Sequence, residues 1–467
     1  MKMTTCSAIM VMVLTSSFLP SPALAATGSV QHQDRQGQQV LFDNIDRNRE
    51  RHLDFLRNLI RASADGEAAV QTLVAERFER LGLEVQTLSL LPTRLSLDLE
   101  FAAEETIDMV ERISVLGRLE GGGVGKSLLF FAHPDGEPIT VESTRDWKHD
   151  PFAAEIDDGR IYGWGVADDL AGVAIMAEAL SAVLETMGRP QGNIYLGSTP
   201  AKRNARGILA LLNEGFQADA SVYLHPAESE QGLKDIKAIT SGMLQFRITV
   251  VGEPPDTKEP GQTAFAHLAT NAIHMANATI ESLRGLDEER AGRVHHEALE
   301  RAVGRSTNLL ISHVACGEGN RLTRVPTECV IGASITFPPN ENLTEVQEEV
   351  LAALSEVAQS DTWPKGQPPS VEWLFGTQGV EVPPEHPLYE TVHAAVQLVT
   401  GQEPEVNPLH SASDIRNPTL FRGIPTVGIG PLAGDLTQAG GHDEWVDVED
   451  YIRAIKICAK IIADWSG

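Results

Sequence analysis

Apolar and polar positions alternate along this chain in two distinguishable ways. Val70, Leu73, Val74, Phe78 and Leu81 fall on one helical face, and Gly82 sits where a C-cap glycine would end the helix. Residues 128–132, Leu-Leu-Phe-Phe-Ala, are apolar without alternation and lie between a Gly-rich stretch and His133-Pro134, which predicts a strand buried on both faces. Val173, Ile175, Met176, Leu180, Val183 and Leu184 predict a helix over 170–186. Short strands are expected at 194–196 and 222–224. Strands that alternate with helices predict a mostly parallel sheet with helices on both faces.

Near residue 237 the pattern changes. Leu244, Phe246, Ile248 and Val250 alternate strictly, as in a strand with one buried face. A helix over 266–283, a strand over 330–337 and a helix over 345–357 follow, so an inserted α+β domain is expected. A Pro- and Gly-rich stretch at 363–369 marks the return. A helix at 388–399, a strand at 426–429 and a helix from Val448 then resume the first pattern. The expected organisation is a signal segment at 1–25, a flexible Gln- and Gly-rich leader at 26–40, an α/β domain in two parts (41–237 and 358–467), and an inserted domain at 238–357.

Composition narrows the class. The chain has 467 residues, 42% of them hydrophobic and 22% charged, which suits two folded domains rather than disorder. A net charge of -28 repels nucleic-acid phosphates and anionic lipid, so neither is an expected partner. Lys2, an apolar run from Cys6 to Leu19, and Ala23-Leu24-Ala25 read as an export signal cleaved after Ala25. The mature protein is expected to be periplasmic or secreted, with no membrane attachment. Three cysteines remain, Cys316, Cys329 and Cys458. That is no disulfide framework, and spacing alone leaves a Cys316–Cys329 bridge open.

Some motifs fail on inspection. Gly125-Lys126-Ser127 suggests a phosphate loop, but Glu120 stands at its first glycine and a strand follows instead of a helix. His296-Glu297 lacks the second histidine of a helical zinc motif, since Glu300 stands there. His410, Ser411 and Asp414 lie close in sequence, but no Gly-x-Ser-x-Gly turn presents a nucleophile.

The informative segment begins at His133-Pro134-Asp135, just past the carboxyl end of a buried strand, where open α/β sheets place ligands. His-x-Asp alone is weak evidence, and so are the adjacent Asp168 and Asp169, which helix capping would explain. Taken with Trp147 to Phe152, Gly159 to Gly163, Gly423-Ile424-Pro425-Thr426 and Gly441-His442-Asp443-Glu444-Trp445-Val446, they form an ordered set. That set resembles the zinc metallopeptidase family of acetylornithine deacetylase, succinyl-diaminopimelate desuccinylase, carboxypeptidase G and aminoacylase, from about residue 45 to the end. The resemblance implies metal ligands at His133, Asp168 and His442, with His225 in place of the family's acidic ligand, and Asp135 as the catalytic-centre residue that orients His133. It also implies that 41–237 and 358–467 form the catalytic domain, and that 238–357 is a lid through which a homodimer forms.

The same comparison shows departures. The family's glutamate pair, a general base followed by a metal ligand, falls on Lys202 and Arg203. Neither is a metal ligand as a cation, and an arginine cannot serve as a base near neutral pH. In the lid, Gln262 and Thr323 stand where a histidine and an asparagine are expected, and the nearest histidine is His267. Glu137 and Glu228 are the nearest alternative bases. The reading is therefore a metal-dependent hydrolase of amide bonds in small peptides or N-acyl amino acids, with one zinc held by His133, Asp168 and His225. The alternative is a non-catalytic binding protein on the same fold.

Overall fold

The computed structural model describes residues 22–467 apart from 96, 98, 227, 228, 230, 361, 362, 364–366, 409–412 and 435–442, and describes no side chains at 22–34, 141 and 203. His442 and Glu228 lie outside the described residues, as do the first 21 residues of the expected signal segment.

The larger body is built on a six-stranded sheet in the order Glu84–Leu90, Arg112–Leu119, Ile194–Ser198, Leu128–Ala132, Ala220–Leu224, Thr426–Ile429. The last four strands run parallel and the first two pair antiparallel at one edge. Alternation along Leu128–Ala132 explains the layering. Leu128, Phe130 and Ala132 enter one core with the helices Ala171–Thr186 and Val448–Ser466, while Leu129 and Phe131 enter another with Leu209 and Leu212. Helix Ala171–Thr186 lies so close to the sheet that a Cβ on Gly172 would fall 2.1 Å from the Leu224 carbonyl oxygen. This contact fixes the helix start, and Asp168 before it, against the end of strand Ala220–Leu224.

The second body is a five-stranded antiparallel sheet in the order Asn308–Cys316, Glu328–Phe337, Gly242–Val251, Ser370–Thr377, Glu100–Ala102. Leu244, Phe246, Ile248 and Val250 are all fully buried against Ala272–Arg293 and Leu343–Ala358. Two of these strands lie outside the expected lid of 238–357. The first helix begins later than residue 266, because the Asn271 side chain caps it by accepting from Ile273 N at 2.9 Å. Strand Asn308–Cys316 went unrecognised in the sequence because it is a half-exposed edge with a weak apolar pattern.

Helix Pro22–Arg47 replaces the leader expected to be flexible over 26–40. Leu41 and Ile45, four apart, are fully buried in the main core and anchor its end, a signal hidden by the polar composition upstream. Cys316 and Cys329 face each other across paired strands and form a disulfide. Cys458 is a free, buried thiol in helix Val448–Ser466. Among the described residues no helix is long and apolar enough to cross a membrane.

Candidate active site

The sheet places His133 just after Leu128–Ala132, Thr199 and Lys202 after Ile194–Ser198, and His225 after Ala220–Leu224. All three strands are parallel, so these residues gather at one edge, where Asp168 and Asp169 precede helix Ala171–Thr186. A cis peptide bond joins the two aspartates. The His133 ring lies 5.2 Å from the Tyr223 ring, which is in turn 5.2 Å from His225.

Asp168 is the hub. Its Oδ2 accepts from Lys202 Nζ in a very short ion pair, and its Oδ1 lies 3.2 Å from His225 Nε2. Burial alone would raise this carboxyl, but Lys202 and then His225 hold it well below the usual carboxylate range. Burial likewise opposes the charge on Lys202, and Asp168 overcomes it, so the ammonium stays protonated. The other ring nitrogen of His225 lies 2.6 Å from Nζ of Lys237, which is fully buried.

His133 forms a second pair. Its Nδ1 donates to the Thr199 carbonyl at 2.6 Å, and its Nε2 lies 3.3 Å from Asp414 Oδ2. Burial would depress the imidazole, but Asp169 and Asp414 carry it up to about 10. Asp414 is held by Arg416 at 3.1 Å, and Arg416 is held by Glu100 at 2.8 Å. Asp169 accepts from the His133 backbone N–H at 2.5 Å, and its other oxygen is buried with no hydrogen-bond partner among the described residues. Burial pushes the Asp169 carboxyl well above its usual range, and the charge on Asp168 adds to this.

Asp135 does not orient His133, whose ring N–H already donates to Thr199. Asp135 instead accepts from Arg112 Nη2 at 2.6 Å and from the backbone N–H groups of Ala201 at 3.0 Å and Lys202 at 2.9 Å. Its role is to fix the turn that carries Lys202. Glu137 offers its carbonyl to the Trp164 indole N–H at 2.9 Å. In the second body, the substituted positions meet: Gln262 N donates to the Thr323 carbonyl at 2.7 Å. Glu444 accepts from the backbone N–H groups of Gly165, Ala167 and Asp168 at 3.0, 2.8 and 3.2 Å. Burial, with Asp168 nearby, pushes the Glu444 carboxyl up to about 7.

These donors do not fit the expected zinc. Both oxygens of Asp168 are engaged by protein groups, and the two imidazoles face different carboxylates. Among the described residues, no group of three or more His, Cys, Asp or Glu side chains is arranged to hold a metal ion. A divalent ion about 4 Å from the Lys202 ammonium would meet a repulsion of about 8 kcal/mol at an effective dielectric near 20. Sequence reasoning found His133, Asp168, His225 and Lys202. It missed Asp414 as a partner of His133, because Asp414 was legible only within a discarded serine-hydrolase trio, and it missed Arg112, Glu100 and Arg416 entirely.

The fold is shared with solved peptidase structures. Human carnosine dipeptidase 1 is similar at TM-score 0.60 and 16% identity, over 92% of this chain and 99% of that one. A tripeptidase from Staphylococcus aureus is similar at TM-score 0.66 and 16% identity, over 90% and 99%. A Bacillus subtilis protein described as a dinuclear metal binding peptidase is similar at TM-score 0.58 and 13% identity, over 90% and 99%. Residues 129–464 match the family model for peptidase family M20/M25/M40. The match covers most of the main body and the second body inserted in it, and the chain therefore belongs to peptidase family M20/M25/M40, a family of hydrolases.

Proposed function

We propose that this protein hydrolyses amide bonds in small peptides or N-acyl amino acids. One observation carries the reading. At the carboxyl ends of the parallel strands, where open α/β sheets place ligands, two imidazole–carboxylate pairs, His133–Asp414 and His225–Asp168, gather with a buried ammonium, Lys202. Amide hydrolysis needs positive charge at the developing oxyanion and a proton for the leaving nitrogen. A fixed ammonium suits the first task and a carboxylate-paired imidazole the second. The zinc implied by the resemblance, one per chain, is not supported by the donor set, so no step passes through it.

A second reading is favoured by a specific feature. The position of the family's general base is Lys202, and its Nζ is engaged by Asp168. On that reading the cleft binds peptides without cleaving them. A panel of dipeptides and N-acyl amino acids, assayed with the full mature chain, separates the two. Release of free amino acid is the expected result. Saturable calorimetric binding without product would reject hydrolysis in favour of binding.

Export and dimerisation through the lid belong to the same proposal. The signal-like N-terminus and the Cys316–Cys329 disulfide support an oxidising compartment. Mature protein is expected to begin at Ala26 and to scatter light as a dimer; a Met1 start would contradict export, and a monomer at micromolar concentration would contradict the dimer.

A further inference from the structure

We infer that Lys202 is the resident cation of this centre, standing where the family's fold would accommodate a metal, so that the protein folds and keeps its site without one. The inference deepens the proposed hydrolase and rests on the same site, but its test reads metal content rather than turnover.

Three features support it. First, Lys202 Nζ and His225 Nε2 together occupy both oxygens of Asp168, the carboxylate that the resemblance assigns as a metal ligand. Secondly, the lysine is held in place. Its backbone N–H is bound by Asp135, the preceding N–H by the same carboxylate, and its carbonyl lies 3.4 Å from Arg112 Nη1. A swing of the ammonium away from Asp168 would leave a buried carboxylate with less compensation, which is costly. Thirdly, the fully buried Lys237 stands behind His225, its Nζ 2.6 Å from His225 Nδ1. With Nδ1 taken up by Lys237 and Nε2 by Asp168, both ring nitrogens of His225 are engaged by protein groups rather than turned to a metal ion.

The test uses the full mature chain purified without chelators. Elemental analysis of the wild type is expected to find no stoichiometric transition metal. Zinc chloride added by calorimetric titration is expected to give no saturable one-to-one transition and no rise in melting temperature. Lys202→Glu places a carboxylate beside Asp168. This variant is expected to melt earlier than wild type without zinc, and to bind about one equivalent with a rise in melting temperature when zinc is added. Lys202→Met, which removes the charge alone, is expected to bind zinc saturably under conditions where the wild type shows no transition. One tightly bound equivalent in the wild type would overturn the inference. So would a folded Lys202→Glu protein that ignores zinc as the wild type does. If neither variant folds, the wild-type analysis decides alone: an absence of stoichiometric metal upholds the inference and its presence overturns it.

Discussion

Replacing Arg112 by methionine is expected to cost about 3–5 kcal/mol of stability, and to release the turn that carries Lys202. Arg112 is buried in strand Arg112–Leu119 and serves three carboxylates at once: Glu67, Asp108 at 2.7 Å and Asp135 at 2.6 Å. Methionine fills comparable volume, so the loss is one of charge rather than packing. The carboxylates left behind are buried or half-buried and close together. Asp135 in turn holds the N–H groups of Ala201 and Lys202, so the defect passes directly to the centre. Chemical denaturation of the variant measures the first effect. A change in stability below about 1 kcal/mol would mean that Arg112 is a replaceable surface-type ion pair.

Glu444→Ala is expected to be the other severe change, with a loss of about 3 kcal/mol or more. Glu444 is fully buried, and its carboxyl closes the loop before helix Ala171–Thr186 by accepting three backbone N–H groups. Alanine leaves those donors inside the protein without an acceptor, and each carries its own desolvation cost. Asp168 is the last of the three residues, so the loop that positions it should loosen. Glu444→Gln keeps one acceptor oxygen and is expected to be the milder variant. Equal stability of wild type and Glu444→Ala in denaturant titration would sink this account of the loop.

Much of the architecture was legible from local pattern. The uninterrupted apolar run at 128–132, the alternation of Leu244, Phe246, Ile248 and Val250, and the turn at Gly82 each follow from one residue's neighbours. The centre was legible only in part. His133, Asp168 and Lys202 lie in recognisable segments, and a cation at Arg203 already conflicted with the metal-ligand role that the resemblance gives that position. What no local pattern could supply is the pairing of groups far apart in sequence. Arg416 reaches Glu100 across 316 positions, and through Asp414 this pair fixes His133. Asp135 shows the converse error. Its closeness to His133 in sequence suggested a shared hydrogen bond, yet the turn at 201–202 offers it two backbone N–H groups and Arg112 a charge, which together outweigh a single ring nitrogen. The helix Pro22–Arg47 was hidden for a third reason: two buried residues, Leu41 and Ile45, anchor a stretch whose upstream composition is that of a linker.

The central claim is that Lys202, rather than a metal, neutralises Asp168. The most direct measurement is a crystal structure of the wild-type chain grown in excess zinc, with anomalous data collected at the zinc edge. The account predicts Lys202 Nζ on Asp168 Oδ2 and no anomalous peak between Asp168 and His225. An anomalous peak there, with the lysine turned away, would contradict it.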